Sequence, residues 1–205
     1  MGIVSESSSG PELLIIAGPN GAGKTTFVNT YLPEFTNVRE FVNADLIARG
    51  ISPFDPDAAL LEAGRVVLSR IHQLIDERAS FALETTLSGR GYAKLISQAQ
   101  STGYSVTLDY LNLNSVELSL ERIIRRVKAG GHNVPEEIVR RRFDRSLVNF
   151  FQLYRDLADH WEFWDNSASE YQLWASGTKS ETLIREEHLY NQVYERYGRG
   201  DRNPA

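Results

Sequence analysis

Short apolar runs alternate with longer amphipathic stretches along this chain, and the alternation predicts its secondary structure. Short runs rich in Val, Ile, Leu and Phe that end at glycine or polar residues are typical of buried strands. Stretches with apolar side chains three and four residues apart are typical of helices. Strands are predicted at residues 13–18, 40–45, 80–87, 105–113, 162–167 and 171–177.

Capping residues and glycines mark where the intervening helices begin and end. Asp57 precedes one apolar stripe, and Asn114, with Glu117 three residues on, fits a capping box before another. The pair at residues 130–131 is Gly-Gly and ends that second helix, and Pro135 suits the first turn of the next one. Helices are predicted from residue 23 to the residue before Pro33, and at 57–79, 91–101, 114–129, 135–160 and 179–197.

Strands that alternate with helices place the chain in the α/β class, with a mainly parallel sheet flanked by helices. A length of 205 residues suits one domain, and no internal repeat is visible. The Ser/Gly-rich leader, residues 1–11, and the polar tail, residues 198–205, are predicted to be disordered. This leaves residues 12–197 as a single domain.

Composition narrows the classes of function. The net charge is −5 and cysteine is absent, which excludes disulfides, thiolate metal sites and cysteine nucleophiles. No apolar run approaches the roughly 18–20 residues that span a bilayer, and the first residues lack the features of a secretory signal. We therefore expect a cytoplasmic protein without a membrane partner. Its overall acidity disfavours nucleic acid as a partner.

A local excess of positive charge contrasts with this acidity. Residues 122–145 contain eight basic side chains and three acidic ones. A basic cluster of this size in an acidic protein predicts a small polyanionic ligand. A solvated helix face with scattered ion pairs is the alternative interpretation.

The stretch from Gly18 to Thr25, the phosphate loop, matches G-x-x-x-x-G-K-[ST] between a predicted strand and a predicted helix. Glycines in such a loop let backbone N–H groups approach phosphate, and the helix that follows directs its positive end at the anion. The lysine reaches the β- and γ-phosphates, and the next hydroxyl binds Mg²⁺. The predicted contacts with ATP and Mg²⁺ are Gly18, Pro19, Asn20, Gly21, Ala22, Gly23, Lys24, Thr25 and Thr26.

Three classes of protein use such a loop, and other motifs separate them. A GTPase requires an N-K-x-D segment, which the chain lacks. An ABC-type ATPase is suggested by LSGRG at residues 87–91 and by Asp109, but LSGRG follows a predicted strand rather than a helical region. A small-molecule kinase needs an acid beside the acceptor hydroxyl and a mobile positive lid, and the chain has candidates for both.

Acidic and hydroxyl side chains lie at the ends of the second and third predicted strands, at the edge where open α/β sheets bind ligands. Asp45 is predicted to orient and deprotonate an acceptor hydroxyl, with helix capping as its alternative role. Glu84 is predicted either to hold Mg²⁺ together with Thr25 or to bind the acceptor. The other predicted acceptor contacts in this part of the chain are Asn43, Thr85, Thr86 and Arg90.

Residues 126–145 are predicted to form a lid, because two basic helix ends flank a pair of glycines in GGHNVPEE. Arginine suits a lid because its planar guanidinium binds phosphoryl oxygens two at a time. Arg126 and Arg141 are predicted to be catalytic, together with Lys24 and Asp45. His132 and Arg142 are predicted to contact substrate, with a structural hydrogen bond as an equal alternative for the histidine.

Four segments, in this order, resemble the zeta-toxin family of P-loop kinases, in particular its compact bacterial branch: AGPNGAGKTTF, NADLIA, ALETTLSG and RRVKAGGHNVPEEIVRRRFDRS. The resemblance spans roughly residues 12–180. It implies a three-layer P-loop fold with a helical lid, and ATP/Mg²⁺-dependent phosphoryl transfer to a hydroxyl. In the best-known members this hydroxyl belongs to UDP-N-acetylglucosamine.

The resemblance also implies roles by position. Phosphate and metal contacts fall on Lys24 and Thr25, the acceptor base on Asp45, and acceptor contacts on Glu84 and Thr86. Phosphate-binding arginines fall within residues 126–142, and which of them is catalytic stays open. The implied partners are a small-molecule acceptor, such as a nucleotide sugar, and an antitoxin protein.

Two alternatives stay open beside this small-molecule kinase. The first is a nucleotide-dependent regulatory or binding module that hydrolyses ATP slowly and transfers phosphate to no metabolite. The second is a polynucleotide kinase, which the overall acidity disfavours.

Overall fold

The computed structural model describes residues 10–36, 38–131 and 133–199. His132 lies outside these ranges, as do nearly all of the predicted disordered leader and most of the predicted disordered tail. The helices are α1 (Lys24–Phe35), α2 (Ala44–Ile51), α3 (Leu60–Asp76), α4 (Tyr92–Ser101), α5 (Val116–Lys128), α6 (Glu136–Asn149), α7 (Arg155–Leu157) and α8 (Glu187–Tyr197). The strands are β1 (Glu12–Ala17), β2 (Glu40–Asn43), β3 (Phe81–Thr85), β4 (Ser105–Asn112), β5 (His160–Asp165), β6 (Gln172–Thr178) and β7 (Thr182–Ile184).

Within the described residues, these strands form one sheet in the order β2-β3-β1-β4-β5-β6-β7. The first five strands are parallel to one another, whereas β6 and β7 are each antiparallel to their neighbours. The predicted α/β class with a mainly parallel sheet and flanking helices is therefore confirmed.

The register of the sheet brings the ends of four strands together. Ala17, the last residue of β1, lies opposite Thr85 of β3 and Tyr110 of β4. Asn43, the last residue of β2, lies opposite Glu84. Segments that leave these strands therefore share one edge of the sheet, which is where parallel α/β folds bind ligands.

Aromatic side chains fill the core beneath β4 and β5. Tyr110 stacks on Phe163 at a ring distance of 5.4 Å, and Phe150 lies 4.6 Å from Tyr110. The segment Phe150–Tyr154 is a π-helical turn that joins α6 to α7. Aromatic pairs of this kind stabilise a fold by about 0.5–1.5 kcal/mol beyond the area they bury.

Among the described helices, none combines the length and the apolar character that crossing a membrane requires.

Two predicted caps are displaced in the structure. Asp55, rather than Asp57, accepts a hydrogen bond from the Ala58 amide and caps a 3₁₀ turn at Pro56–Ala59, after which α3 begins. Ser115, rather than Asn114, accepts from the amide of Leu118 and caps α5. Asp, Asn and Ser are all good caps, so the sequence alone does not distinguish neighbouring candidates.

Several predicted boundaries also differ from the structure. Helix α1 continues through Pro33 to Phe35, although this proline lacks the N–H that would bond to the carbonyl four residues before it. The predicted strand at 40–45 ends at Asn43, which caps α2. The predicted helix at 135–160 is divided by the π-helical turn and ends before β5, which begins at residue 160. The first part of the predicted helix at 179–197 contains β7, whose edge pairing overrides the helical pattern.

An acidic side chain lies in the middle of the sheet. Asp109 is buried on β4, opposite Glu162 of β5, rather than at the strand end that a catalytic acid would occupy. Burial raises the pKa of Asp109 well above its ordinary value, and Glu162 beside it raises that pKa further. The pKa of Glu162 is also raised, again mainly by burial.

These raised pKa values predict that the protein loses stability as the pH rises. Above the ordinary carboxyl pKa the unfolded chain releases a proton that folded Asp109 retains, so the free energy of unfolding falls by up to about 1.4 kcal/mol per pH unit. Asp109→Asn should reduce this fall and raise the melting temperature at pH 7, measured by circular dichroism between pH 5 and 8. Asp76→Asn, at an exposed aspartate, is the control. An unchanged pH dependence in Asp109→Asn would show that Asp109 does not cause the loss of stability with rising pH.

Candidate active site

The phosphate loop crosses from the end of β1 to the start of α1 in a conformation that requires glycine. Gly18, Gly21 and Gly23 have φ values of 137°, 78° and 84°, a region that side chains disfavour. A Cβ on Gly18 would lie 2.2 Å from the carbonyl oxygen of Leu111, and one on Gly23 would lie 2.7 Å from Nδ2 of Asn166. The glycines are therefore needed both for conformation and for close packing.

The carbonyl oxygens of the loop are held by side chains from other parts of the chain. The Ser119 hydroxyl donates to the carbonyl of Asn20, and Arg122 donates to that of Gly21 at 3.4 Å. Asn166 Nδ2 donates to the carbonyl of Ala22 at 2.9 Å, and the Tyr171 hydroxyl to that of Gly23 at 3.2 Å. Because carbonyl and N–H groups of successive peptides diverge, fixing the carbonyls in this way leaves the amides available to an anion.

Lys24 begins α1 and is buried beneath the loop. Its Nζ donates to the carbonyl oxygen of Pro19 at 3.0 Å. Burial lowers the pKa of Lys24, and Arg126 and Arg142 lower it further, whereas Glu84 and Asp45 raise it. A buried ammonium group at the positive end of a helix favours an anionic ligand, which would compensate for the charge taken out of water.

Glu84 connects the phosphate loop to the end of β2. Its Oε2 accepts hydrogen bonds from the Thr25 hydroxyl at 2.9 Å and from Asn43 Nδ2 at 2.6 Å. Asn43 in turn accepts from the amide of Leu46 and caps α2. The hydroxyl of Thr25 and the carboxylate of Glu84 are oxygen ligands of the type that Mg²⁺ prefers.

This donor set fits a magnesium site that the protein shares with phosphate and water. Among the described residues there is no group of three or more His, Cys, Asp or Glu side chains that could hold a metal ion. Mg²⁺ in phosphoryl-transfer enzymes is commonly bound by one or two protein oxygens and by the substrate phosphates. Thr25 and Glu84 are sufficient for that arrangement.

A cavity of about 620 Å³ lies in front of the loop and contains most of the predicted site residues. Asp45 reaches it from the first turn of α2, which follows β2 directly. The hydroxyls of Thr85, Thr86 and Ser88 follow β3 into the same space. The predicted acid and the predicted phosphate contacts thus face one another across a single cavity.

Arginines from α5 and α6 line the opposite wall. Arg122 and Arg126 lie one turn apart on α5, and Arg142 reaches the cavity from α6. Gly130 has a φ of 82°, and the amide of Gly131 donates to the carbonyl of Arg126 at 2.9 Å. These glycines end α5 and begin the connection to α6, where the hinge of the lid is predicted.

Outside the phosphate loop, two described residues that were predicted to belong to the site, Arg90 and Arg141, do not line the cavity. Arg141 is exposed and does not line the cavity, because successive helical residues point about 100° apart and Arg142 occupies the inward position on α6. Arg90 is also outside the lining and donates to Asn149 Oδ1 at 3.3 Å. His132 lies outside the described residues.

Four residues of the site were not predicted to hold the loop: Ser119, Arg122, Asn166 and Tyr171. For two of them the sequence contains a partial indication of this role. Arg122 lies four residues before Arg126 and so shares its helix face, and Asn166 follows β5 at the ligand-binding edge. Nothing in the local sequence pattern indicates that Ser119 or Tyr171 reaches the loop.

A family model described as an AAA domain, AAA_33, matches residues 13–153, which is more than half of the chain and includes the phosphate loop. The chain belongs to the AAA_33 family. This AAA_33 chain is also 36% identical over 132 residues to an uncharacterized protein of Haemophilus influenzae, an alignment that covers 63% of the chain and 91% of that protein.

Solved structures with the same fold are more distant in sequence. A chain in the crystal structure of the AvrRxo1-ORF1:AvrRxo1-ORF2 complex with sulphate ions matches with a TM-score of 0.72 and 18% identity, over 96% of this chain and 66% of that one. The same complex with ATP gives a TM-score of 0.70 and 17% identity, with the same coverage. The AAA_33 chain thus spans about two thirds of the length of the AvrRxo1 chain it matches.

A chain from the PezAT chromosomal toxin–antitoxin system of Streptococcus pneumoniae matches with a TM-score of 0.65 and 18% identity, over 97% of this chain and 82% of that one. At these identities the likeness concerns the fold. The AAA_33 chain therefore has a P-loop kinase-like fold.

Removing one of the side chains that hold the loop should weaken nucleotide binding. Asn166→Ala frees the Ala22 carbonyl and should raise the dissociation constant for ATP about tenfold, since a lost buried hydrogen bond costs about 1–2 kcal/mol. Isothermal titration calorimetry measures the change. Asn29→Ala, at an exposed asparagine on α1, is the matched control. Equal ATP affinity in both variants would show that Asn166 does not shape the loop.

Proposed function

We propose that this protein is a kinase that transfers the γ-phosphate of ATP to a hydroxyl of a small molecule in the cytoplasm. The observation that carries the proposal is the single cavity that joins the phosphate loop, Asp45 and the lid arginines. A nucleotide switch or motor needs the first of these elements, whereas phosphoryl transfer to an alcohol needs all three.

On the donor side, the amides of the phosphate loop and Lys24 would hold the β- and γ-phosphates. Support comes from the fixed loop carbonyls and from the burial of Lys24. Thr25 and Glu84 would hold Mg²⁺, which when bound neutralises charge on the phosphates. ATP as donor is consistent with the ATP complex among the structures of the same fold.

On the acceptor side, Asp45 would accept a hydrogen bond from the reacting hydroxyl and take its proton during transfer. Asp45 suits this role because the first turn of α2 holds it across the cavity from the loop. Asn43, Thr85 and Thr86 would orient the rest of the acceptor near the reacting group. A UDP-sugar such as UDP-N-acetylglucosamine is the acceptor that the resemblance to zeta toxins suggests.

The lid would complete the site by bringing arginine to the transferring phosphoryl group. Arg126 and Arg142 line the cavity, so we assign this role to them in preference to Arg141. A guanidinium placed here stabilises charge on the equatorial oxygens and excludes water. We also propose that an antitoxin protein is a partner, by analogy with the PezAT system.

Replacing the proposed base should separate binding from transfer. Asp45→Asn keeps the shape of the side chain but cannot take a proton, so the transfer rate should fall about 10²–10⁴-fold while ATP affinity stays within about twofold. Transfer of labelled γ-phosphate to an identified acceptor is the measurement. Asp76→Asn, at the exposed end of α3, is the control. Unchanged turnover in Asp45→Asn would show that Asp45 is not the base that takes the proton of the acceptor.

Replacing Glu84 should alter the dependence on magnesium. Glu84→Gln retains a hydrogen-bonding side chain for Thr25 and Asn43 but removes the charge, so the Mg²⁺ concentration for half-maximal activity should rise about tenfold or more. The test is a Mg²⁺ titration at saturating ATP. A change in the acceptor KM with no change in the Mg²⁺ requirement would instead place Glu84 in the acceptor site.

An acceptor screen separates the kinase from a regulatory module that hydrolyses ATP without transfer. The chain is incubated with γ-labelled ATP and a panel of UDP-sugars, nucleotides, oligonucleotide ends and other hydroxyl metabolites. If the protein is a kinase, label should appear on one class of acceptor, and Lys24→Ala should abolish this transfer. Label that appears only as free phosphate across the panel would favour the module.

A further inference from the structure

An apolar groove of about 390 Å³ lies beside the cavity, against the outer side of α3. Helix α3 buries one face, which includes Ala63, Val67 and Ile71. The neighbouring face of α3 is also apolar, but it points away from the core. The groove is lined by Ala44, Leu60, Leu61, Gly64, Arg65, Val67, Leu68 and Tyr92.

The leucines of the groove are exposed to an extent that folding alone does not explain. Leu61 is 72% exposed, Leu68 49% and Leu60 45%. Leu60 and Leu61 are consecutive and Leu68 lies about two turns further along α3, and all three line the groove. Neighbouring exposed leucines that line a concave surface are suited to contact with another apolar group.

A glycine in the middle of α3 keeps the groove open. Gly64 has no positive φ, and a Cβ built on it would meet no atom within 4 Å. Within the described structure neither conformation nor packing requires glycine here, although glycine in a helix interior costs about 1 kcal/mol relative to alanine. The missing side chain instead leaves space at the floor of the groove.

The groove is continuous with the proposed acceptor site. Ala44, Leu60 and Tyr92 line both the groove and the cavity. Ala44 directly precedes Asp45 in the first turn of α2. A molecule with its hydroxyl at Asp45 therefore has room to extend into the groove.

The distribution of charge indicates what kind of group the groove accepts. Among the described residues that line the cavity, the cations Lys24, Arg122, Arg126 and Arg142 belong to the donor and lid sides. The groove adds one charged residue, the exposed Arg65. Walls of leucine, valine and tyrosine favour an uncharged aliphatic or aromatic group.

We propose that the groove binds an apolar part of the acceptor, so that the substrate is an alcohol bearing an aliphatic or aromatic group. This inference rests on the proposed kinase function, because it assigns the groove to the acceptor of that reaction. An apolar groove would discriminate among hydroxyl compounds that Asp45 alone would not distinguish.

The test uses methyl and hexyl β-D-glucoside as probes, with the full chain, Mg²⁺ and a non-hydrolysable ATP analogue. Full burial of a methylene strengthens binding about fourfold, so the additional methylenes of the hexyl probe should strengthen it about tenfold or more even in an open groove. Titration calorimetry gives the affinities, and amide chemical shifts locate the probe. We expect shifts at Gly64 and Tyr92.

Gly64→Leu fills the groove and should abolish the preference for the hexyl probe. The variant should fold, because Cβ at this position meets no atom and leucine is a better helix former than glycine. Gly50→Leu is the matched control, since Gly50 is also helical with open space around it but lies outside the groove. It should retain the preference.

Three results would overturn the inference: equal affinities for the two probes, a hexyl preference that survives in Gly64→Leu, or a dimer that Gly64→Leu dissociates. The last would assign the groove to a second copy of the chain. If the protein transfers phosphate to an acceptor in the screen at a rate that Gly64→Leu does not change, the groove does not bind the acceptor, but the proposed kinase function stands. Hexyl binding without transfer to any acceptor would reject the kinase function instead.

Discussion

The fixed orientation of the phosphate-loop carbonyls is the constraint on which the site depends. A loop of eight residues with three glycines has many conformations available, and only a few of them direct successive amides toward one point. Here Ser119, Asn166 and Tyr171 each donate to a carbonyl of the loop. Lys24, at the start of α1, takes its position from this conformation, because its Nζ donates to the loop carbonyl of Pro19.

Charge is divided along the cavity in a way that matches the proposed direction of transfer. Arginines of α5 and α6 line one side, and carboxylates lie near the ends of β2 and β3. The first set favours a polyphosphate, and the second favours a hydroxyl that must lose a proton. Lys24 lies between the two sets, and both act on its pKa in opposite directions.

The sequence predicts those parts of the fold and site that local patterns encode. The phosphate loop is recognisable because the glycines, lysine and threonine are needed at fixed spacing between a strand and a helix. Asp45 and Glu84 are found because each lies at the carboxyl end of a strand of a parallel sheet. The choice between Arg141 and Arg142 depends on how α6 is rotated against the domain, which a run of three arginines does not reveal. Similarly, Asn114 and Ser115 are equally good caps by residue type, and the structure distinguishes them by the hydrogen bond that Ser115 accepts from the Leu118 amide.

The contacts that hold the phosphate loop have a consequence for how the protein folds. The four donors lie 99 to 148 residues away from the carbonyls they bind. The motif is complete once the first 25 residues of the chain have been made, but the conformation that binds phosphate requires α5, β5 and the segment that reaches Tyr171. Such long-range contacts form late, because each must first close a long segment of chain. Nucleotide binding would therefore be acquired only when almost the whole domain has assembled, and a partly folded chain would carry the motif without the activity.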